Sequence, residues 1–179
     1  MEIPTITTER LTLRAFRPED APALQAILEQ EDVLKYFPGD DPPTLERTER
    51  FVTRQIDQWA ERGYAWWAVE DRATGALLGW NGLQFLPETE ETEIGYLLHK
   101  EFWGQGLATE AGHQGIRYGF ETVGLDRIIA LAHPENTASR RVMEKLGLRF
   151  IEETEYFDMN VARYLLERSE YEDSIKVPS

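Results

Sequence analysis

Glu93-Ile-Gly-Tyr-Leu-Leu98 has the apolar, part-aromatic content of a strand, with Ile94, Tyr96 and Leu98 alternating onto one face. Trp103-Gly-Gln-Gly-Leu-Ala-Thr109 follows, and its Gly104 and Gly106 open a helix in which Gly112, Gly115 and Gly119 recur. A strand feeding a glycine loop at a helix N-terminus presents unpaired backbone N–H groups with the helix dipole behind them, which is a cradle for phosphate. An ordinary βα turn with two glycines would look similar. The interior glycines argue for more, since each costs roughly 1 kcal/mol relative to Ala. Something approaches that helix closely, either the sheet beneath it or a ligand.

Outward from this segment the chain reads as alternating strands and helices. Glu9 to Phe16 alternates Leu11, Leu13 and Ala15 against Arg10, Thr12 and Arg14, as a half-buried strand does. Asp20 is placed to cap a helix carrying Leu24, Ile27 and Leu28. Tyr36 to Pro43 is a breaker-dense loop. Thr44 caps a second helix with Val52, Ile56 and Trp59 on one stripe, and Gly63 stops it. Tyr64 to Glu70 and Ala76 to Phe85 form a hairpin around Asp71–Gly75. Beyond the glycine-rich helix, Arg127 to His133 is apolar on both faces, as in a strand interior to a sheet. The unit from Glu93 to His133 is therefore a strand–helix–strand crossover with its two strands parallel. Asn136 caps a short helix with Ala138, Val142 and Leu146 on one side, and Gly147 ends it. Leu148 to Tyr156 and Val161 to Glu167 make a last antiparallel pair, and residues 169–179 read as a loose tail. The fold class is α+β: a mixed, mostly antiparallel sheet with one central parallel crossover.

Composition narrows the function. A chain of 179 residues is most simply one domain, 1–179. It has no cysteine, so covalent catalysis through a thiol and cysteine metal ligands are excluded, and a reducing, cytoplasmic setting fits. Its three histidines are scattered, which gives no metal constellation. A formal charge of −14 argues against nucleic-acid and anionic-membrane partners and mildly favours cationic ones such as amines. No apolar run is long enough to span a bilayer, and the N-terminus lacks the basic and apolar regions of a signal peptide.

Gly104-x-Gly106-x-x-Thr109 departs from the dinucleotide fingerprint at its third glycine, and no strand ending in an acidic residue follows at the required distance. No Gly-Lys-Ser/Thr suggests a Walker loop. The strand, the loop Trp103 to Ala108, the small-residue helix, the next strand and then Asn136-Thr-Ala-Ser139…Glu144-Lys-Leu-Gly-Leu148 together resemble the GNAT superfamily of acyl-CoA-dependent N-acyltransferases. Thr8-Glu-Arg-Leu-Thr-Leu-Arg14 with Arg17-Pro-Glu-Asp20 looks like the opening of its RimJ/RimL-type branch. The resemblance covers about Thr8 to Glu167. It implies the GNAT fold, with helices on both faces of the sheet, and acetyl-CoA as co-substrate with no metal. Gly104, Gln105, Gly106, Leu107, Ala108 and Thr109 would hold the pyrophosphate. Leu98, Asn136 and Ser139 would contact the pantetheine arm. The family's loop usually begins with Arg or Gln; here that position is Trp103, so any side-chain contact from it is lost while main-chain N–H groups remain.

Transfer of an acyl group from a thioester to an amine needs a neutral amine, a stabilised oxyanion and a stabilised or protonated thiolate. Many relatives carry a tyrosine general acid where this chain has Met143. Ser139, one helical turn earlier on the same face, is the first candidate to replace it, as Ser in the RimJ/RimL-type branch would; the plainer role is to satisfy the first helical turn. Asn136 is first an N-cap. Glu93 is the candidate base, directly or through a water, the alternative being no dedicated base and bulk water taking the proton. It faces the cleft if the strand bulges, and otherwise lies opposite Tyr96 and Leu98. His99 and His133 rank below it. Tyr36, Phe37 and Trp80 are weaker candidates for an acceptor pocket. The resulting expectation is an N-acetyltransferase working by direct ternary-complex transfer on a protein N-terminus or a small amine, with homodimers frequent in the branch. A non-catalytic acyl-CoA-binding module or sensor is the contrasting class, and a nucleotide-dependent oxidoreductase a distant third.

Overall fold

Gly79 and Gly82 let the centre of the sheet pack as tightly as it does. A Cβ at Gly79 would sit 1.9 Å from the Leu97 carbonyl oxygen, and one at Gly82 would sit 2.5 Å from that of Ala65. The computed structural model describes residues 2–39, 41–156 and 158–176. Its strands are β1 (Ile6–Thr7), β2 (Leu11–Arg14), β3 (Trp66–Asp71), β4 (Leu77–Leu86), β5 (Glu91–Leu98), β6 (Arg127–Ala132), β7 (Arg149–Tyr156) and β8 (Met159–Glu167). They form one sheet in the order β1-β2-β3-β4-β5-β6-β8-β7. Every neighbouring pair is antiparallel except β5–β6, the expected parallel crossover.

Helices cover both faces. On one, α1 (Ala21–Leu28) and α2 (Leu45–Arg62) bring Leu24, Ile27, Leu28 and Val52 against Ala68, Trp80 and Leu97. On the other, α3 (Leu107–Arg117) and α4 (Thr137–Lys145) pack Leu107, Ala111, Ile116 and Met143 onto Leu11, Leu13, Leu83 and Ile94. The Thr44 hydroxyl accepts the Arg47 N–H, and Gly63 closes α2 in the left-handed region, as their residue types require.

The contacts of the α3 glycines answer the question their cost raises. Gly112 lies against Leu146, Gly115 against Ile94, and Gly119, in the π-helical turn Tyr118–Val123 after α3, against Ile128. It is sheet and helix packing, not a ligand, that excludes a side chain there.

Two expectations need correction. Residues 168–176 are not a loose tail but a helix, α5 (Arg168–Lys176). Tyr171 stacks on Phe120 at 4.8 Å and donates to Glu121, and Glu170 pairs with Arg149; residues 177–179 lie outside the described residues. Asp20 occupies the N-cap position of α1 without capping it through its side chain. Its carboxylate instead accepts a two-pronged bond from buried Arg14, at 2.8 Å on each oxygen, and the Arg17 N–H. Arg14 also reaches Glu70 at 2.6 Å, so the buried guanidinium has opposite charge on two sides.

A Gly79→Ala substitution forces backbone against backbone at a positive φ that an L side chain rarely adopts. We expect a loss of about 3 kcal/mol or more in urea unfolding, whereas Gly75→Ala, left-handed at φ 73° but with open space around it, bears only the backbone strain, about 1 kcal/mol.

Candidate functional site

The site begins where β5 and β6 separate. β5 stays in unbroken register with β4 from Glu91 to Leu98, but its ladder with β6 consists of the single pair Glu93–Ile129. The His99 N–H donates to the Leu78 carbonyl, which fixes the alternation along β5. Odd-numbered residues bond to β4, so Ile94, Tyr96 and Leu98 turn their backbone groups toward β6. The Ile94 N–H closes the Glu93–Ile129 pair, and beyond it those groups meet no ladder. The Leu98 carbonyl is taken by the Trp103 indole N–H at 2.7 Å. Trp103 thus caps the end of the strand and leaves the Leu98 N–H directed at the gap.

At the mouth of α3 the N–H groups of Gly104, Gln105, Gly106, Leu107, Ala108 and Thr109 have no protein acceptor among the described residues. Gly104 and Gly106 are left-handed, at φ 72° and 79°, and a side chain on Gly104 would meet open space. Leu107 is buried and anchors the helix, so its backbone alone faces the cradle. The Gln105 side chain bonds back to the Glu101 carbonyl. Arg10 braces the loop from β2's side: it donates to the Gln105 carbonyl at 2.8 Å and pairs with Glu110 at 2.7 Å. Desolvation works against the Glu110 anion, but the bonds from Thr8 and Arg10 prevail and hold its carboxyl below the ordinary value.

Glu93 stands at the vertex where the strands part. No bulge interrupts β5, so Glu93 lies on the α1/α2 face with Gly95 and Leu97, opposite Tyr96 and Leu98. It has no hydrogen-bond or ion-pair partner among the described residues, and burial pushes its carboxyl up to about 7. On the other face, the Asn136 side-chain oxygen accepts the Ser139 N–H at 3.1 Å, the N-cap role its type suggests. The Tyr96 hydroxyl reaches across to Ser139, 2.9 Å from its carbonyl and 3.0 Å from its Oγ. Burial is the main reason the Tyr96 phenol is pushed far above its ordinary value. Met143 is buried in the core.

The two histidines at the strand ends hold the segment between α1 and α2. His99 bonds Gln30 at 2.7 Å, Lys100 pairs with Asp32 at 2.9 Å, and Tyr36 stacks on His133 at 5.2 Å. This segment therefore runs from the end of β5 to the end of β6. Beside it, Phe37 meets Trp80 edge-on, and Trp80 stacks on Trp66, whose ring lies 3.1 Å from the position a Cβ on Gly95 would take.

Sequence reasoning did not find the Tyr96–Ser139 contact, the Arg10 brace or the Trp103 cap. Tyr96 was visible only as an alternating strand residue, and 43 positions separate it from Ser139.

The Acetyltransferase (GNAT) domain family matches residues 10–149. The uncharacterized N-acetyltransferase YoaA of Bacillus subtilis is 31% identical over 147 residues, which is 82% of this chain and 83% of that protein. The putative ribosomal N-acetyltransferase YdaF of the same organism is 31% identical over 150 residues, 81% of this chain and 80% of its own. Among solved structures, the acetyltransferase from Agrobacterium tumefaciens superposes with a TM-score of 0.82 at 28% identity, covering 93% of this chain and 96% of that one.

Glu93 also makes a stability prediction. Its folded-state value, about 7, lies above the ordinary 4.5, so the folded chain holds a proton that the unfolded chain has already lost. Stability therefore falls as pH rises from about 4.5 to about 7 and then levels off. Glu93→Gln is expected to raise thermal stability at pH 8, by up to about 3 kcal/mol, and to leave it unchanged at pH 4, as followed by scanning calorimetry across that range.

Proposed function

The chain belongs to the GNAT acetyltransferase family, and we propose that it moves the acetyl group of acetyl-CoA directly to a primary amine, without a covalent enzyme intermediate. The observation that carries this reading is the row of six unpaired N–H groups, Gly104 to Thr109, beside strands that separate after a single pairing. Such a helix mouth suits a diphosphate, and the gap suits an extended arm with a thioester at its end. A relative at 30% identity, from Aspergillus fumigatus, is named FsC-acetyl coenzyme A-N(2)-transacetylase, which supports both the donor and an amine acceptor. The name of YdaF, a putative ribosomal N-acetyltransferase, makes amines of ribosomal proteins, N-termini among them, the first acceptors to try.

In this reading Gly104 to Thr109 hold the pyrophosphate, and Asn136 offers its side-chain NH2, the end not used in capping, to the pantetheine. The Leu98 N–H faces the thioester carbonyl and stabilises the oxyanion. Glu93 takes a proton from the ammonium, freeing the lone pair that forms the new C–N bond. As the C–S bond breaks, its electron pair goes to sulfur and Ser139 Oγ supplies a proton. Forming the amide removes two protons from the ammonium in all; one leaves to water through Glu93, and the other replaces the proton given by Ser139.

A carboxylate with a value near 7 is matched to this task at neutral pH. The rate at low amine concentration should therefore climb with pH and bend near 7, and Glu93→Gln should lower kcat/KM by about 10²-fold or more while binding acetyl-CoA normally. A thermal-shift panel of acetyl-CoA, CoA, NAD and ATP tests the donor: stabilisation by the CoA species alone is expected, and by NAD alone would overturn the reading. Binding of acetyl-CoA without transfer to any amine would instead identify a sensor.

A further inference from the structure

Every polar group of Ser139 is held by another residue or positioned against one. Its N–H donates to Asn136, and both its carbonyl and its Oγ lie within hydrogen-bond distance of the Tyr96 hydroxyl. A serine serving only the first turn of a helix needs the first of these contacts and not a phenol delivered from a neighbouring strand. The helix itself has no phenol to offer, since Met143 is buried and carries no proton. We propose that Tyr96 is the positioning residue of Ser139: from β5 it supplies the phenol missing from α4 and turns the serine proton toward the departing sulfur. This rests on the reading of Ser139 as the proton donor to the thiolate.

The proton count makes the arrangement a two-position device. The phenol has one proton and two neighbours on Ser139, and the carbonyl can only accept. At rest Tyr96 O–H donates to the Ser139 carbonyl, and Ser139 Oγ–H donates to the Tyr96 oxygen. As negative charge gathers on sulfur, the phenol proton swings from the carbonyl to Oγ, freeing the serine O–H to point into the gap. The serine proton then passes to sulfur as the C–S electron pair moves there, while the bond from Tyr96 stabilises the charge left on Oγ. Tyr96 keeps its own proton throughout, as its buried ring favours, and Oγ regains a proton as product leaves, matched through water by the second proton the amine gives up.

The test is a double-mutant cycle of Tyr96→Phe and Ser139→Ala, assayed well below both melting temperatures, with acetyl-CoA Kd from calorimetry. Phe keeps the ring and removes one oxygen. We expect Tyr96→Phe to lower kcat about tenfold or more with Kd within about twofold, and to cause no further loss when Ser139 is already Ala. A wild-type kcat in Tyr96→Phe, or an equal loss in the Ser139→Ala background, would overturn the proposal. Normal turnover by Ser139→Ala would overturn it too, by removing the group that is positioned. A wild-type chain that acetylates no amine would be a different failure, that of the acetyltransfer reading itself.

Discussion

The site depends on β5 and β6 releasing each other after Glu93 and Ile129. Parallel strands in the middle of a sheet normally pair along their length, because each unpaired N–H or C=O buried away from water costs free energy comparable to a lost hydrogen bond. Here the strands separate where the chain can partly absorb that cost. Trp103 takes the Leu98 carbonyl, and the segment tethered by His99 and His133 runs between the two strand ends. The remaining strand groups and the N–H groups of the α3 mouth have no protein partner among the described residues, which leaves them open to water or to a ligand with matching acceptors.

Most of the scaffold was legible because it is written in periodicity and caps. The two faces of Arg127 to His133 are both apolar, and only a strand buried on both sides wants that. Thr44, Gly63, Asn136 and Gly147 mark helix ends by chemistry that does not depend on tertiary context. The tail was misread for the opposite reason: α5 is fastened through one aromatic, Tyr171, and through ion pairs, so it carries no apolar stripe. Asp20 was misread because a buried arginine outcompetes a helix terminus for a carboxylate.

The glycine loop and the helix mouth it opens could be read from the sequence, whereas the partners of the flanking residues could not. Trp103 departs from the family's usual residue in the loop, and its indole N–H serves the strand end. Arg10 lies 95 positions from Gln105, whose carbonyl it holds. Such contacts depend on which strand lies beside which helix, and local sequence carries no record of that.

The unbroken register of β5 also explains how one short strand could address both sides of the gap. Residues 93 and 96 differ by an odd number, so in a regular strand their side chains must point to opposite faces. Glu93 therefore reaches the α1/α2 side, and Tyr96 reaches Ser139 on the α3/α4 side. A bulge would have brought Glu93 round to the face of Tyr96, setting the proposed base beside the proposed proton donor. With the register intact, the proposed base and the proposed proton donor lie on opposite sides of the sheet. In the proposed transfer, the first proton leaving the amine and the proton given to sulfur would then be handled by separate groups on separate faces, Glu93 on one and Ser139 with Tyr96 on the other.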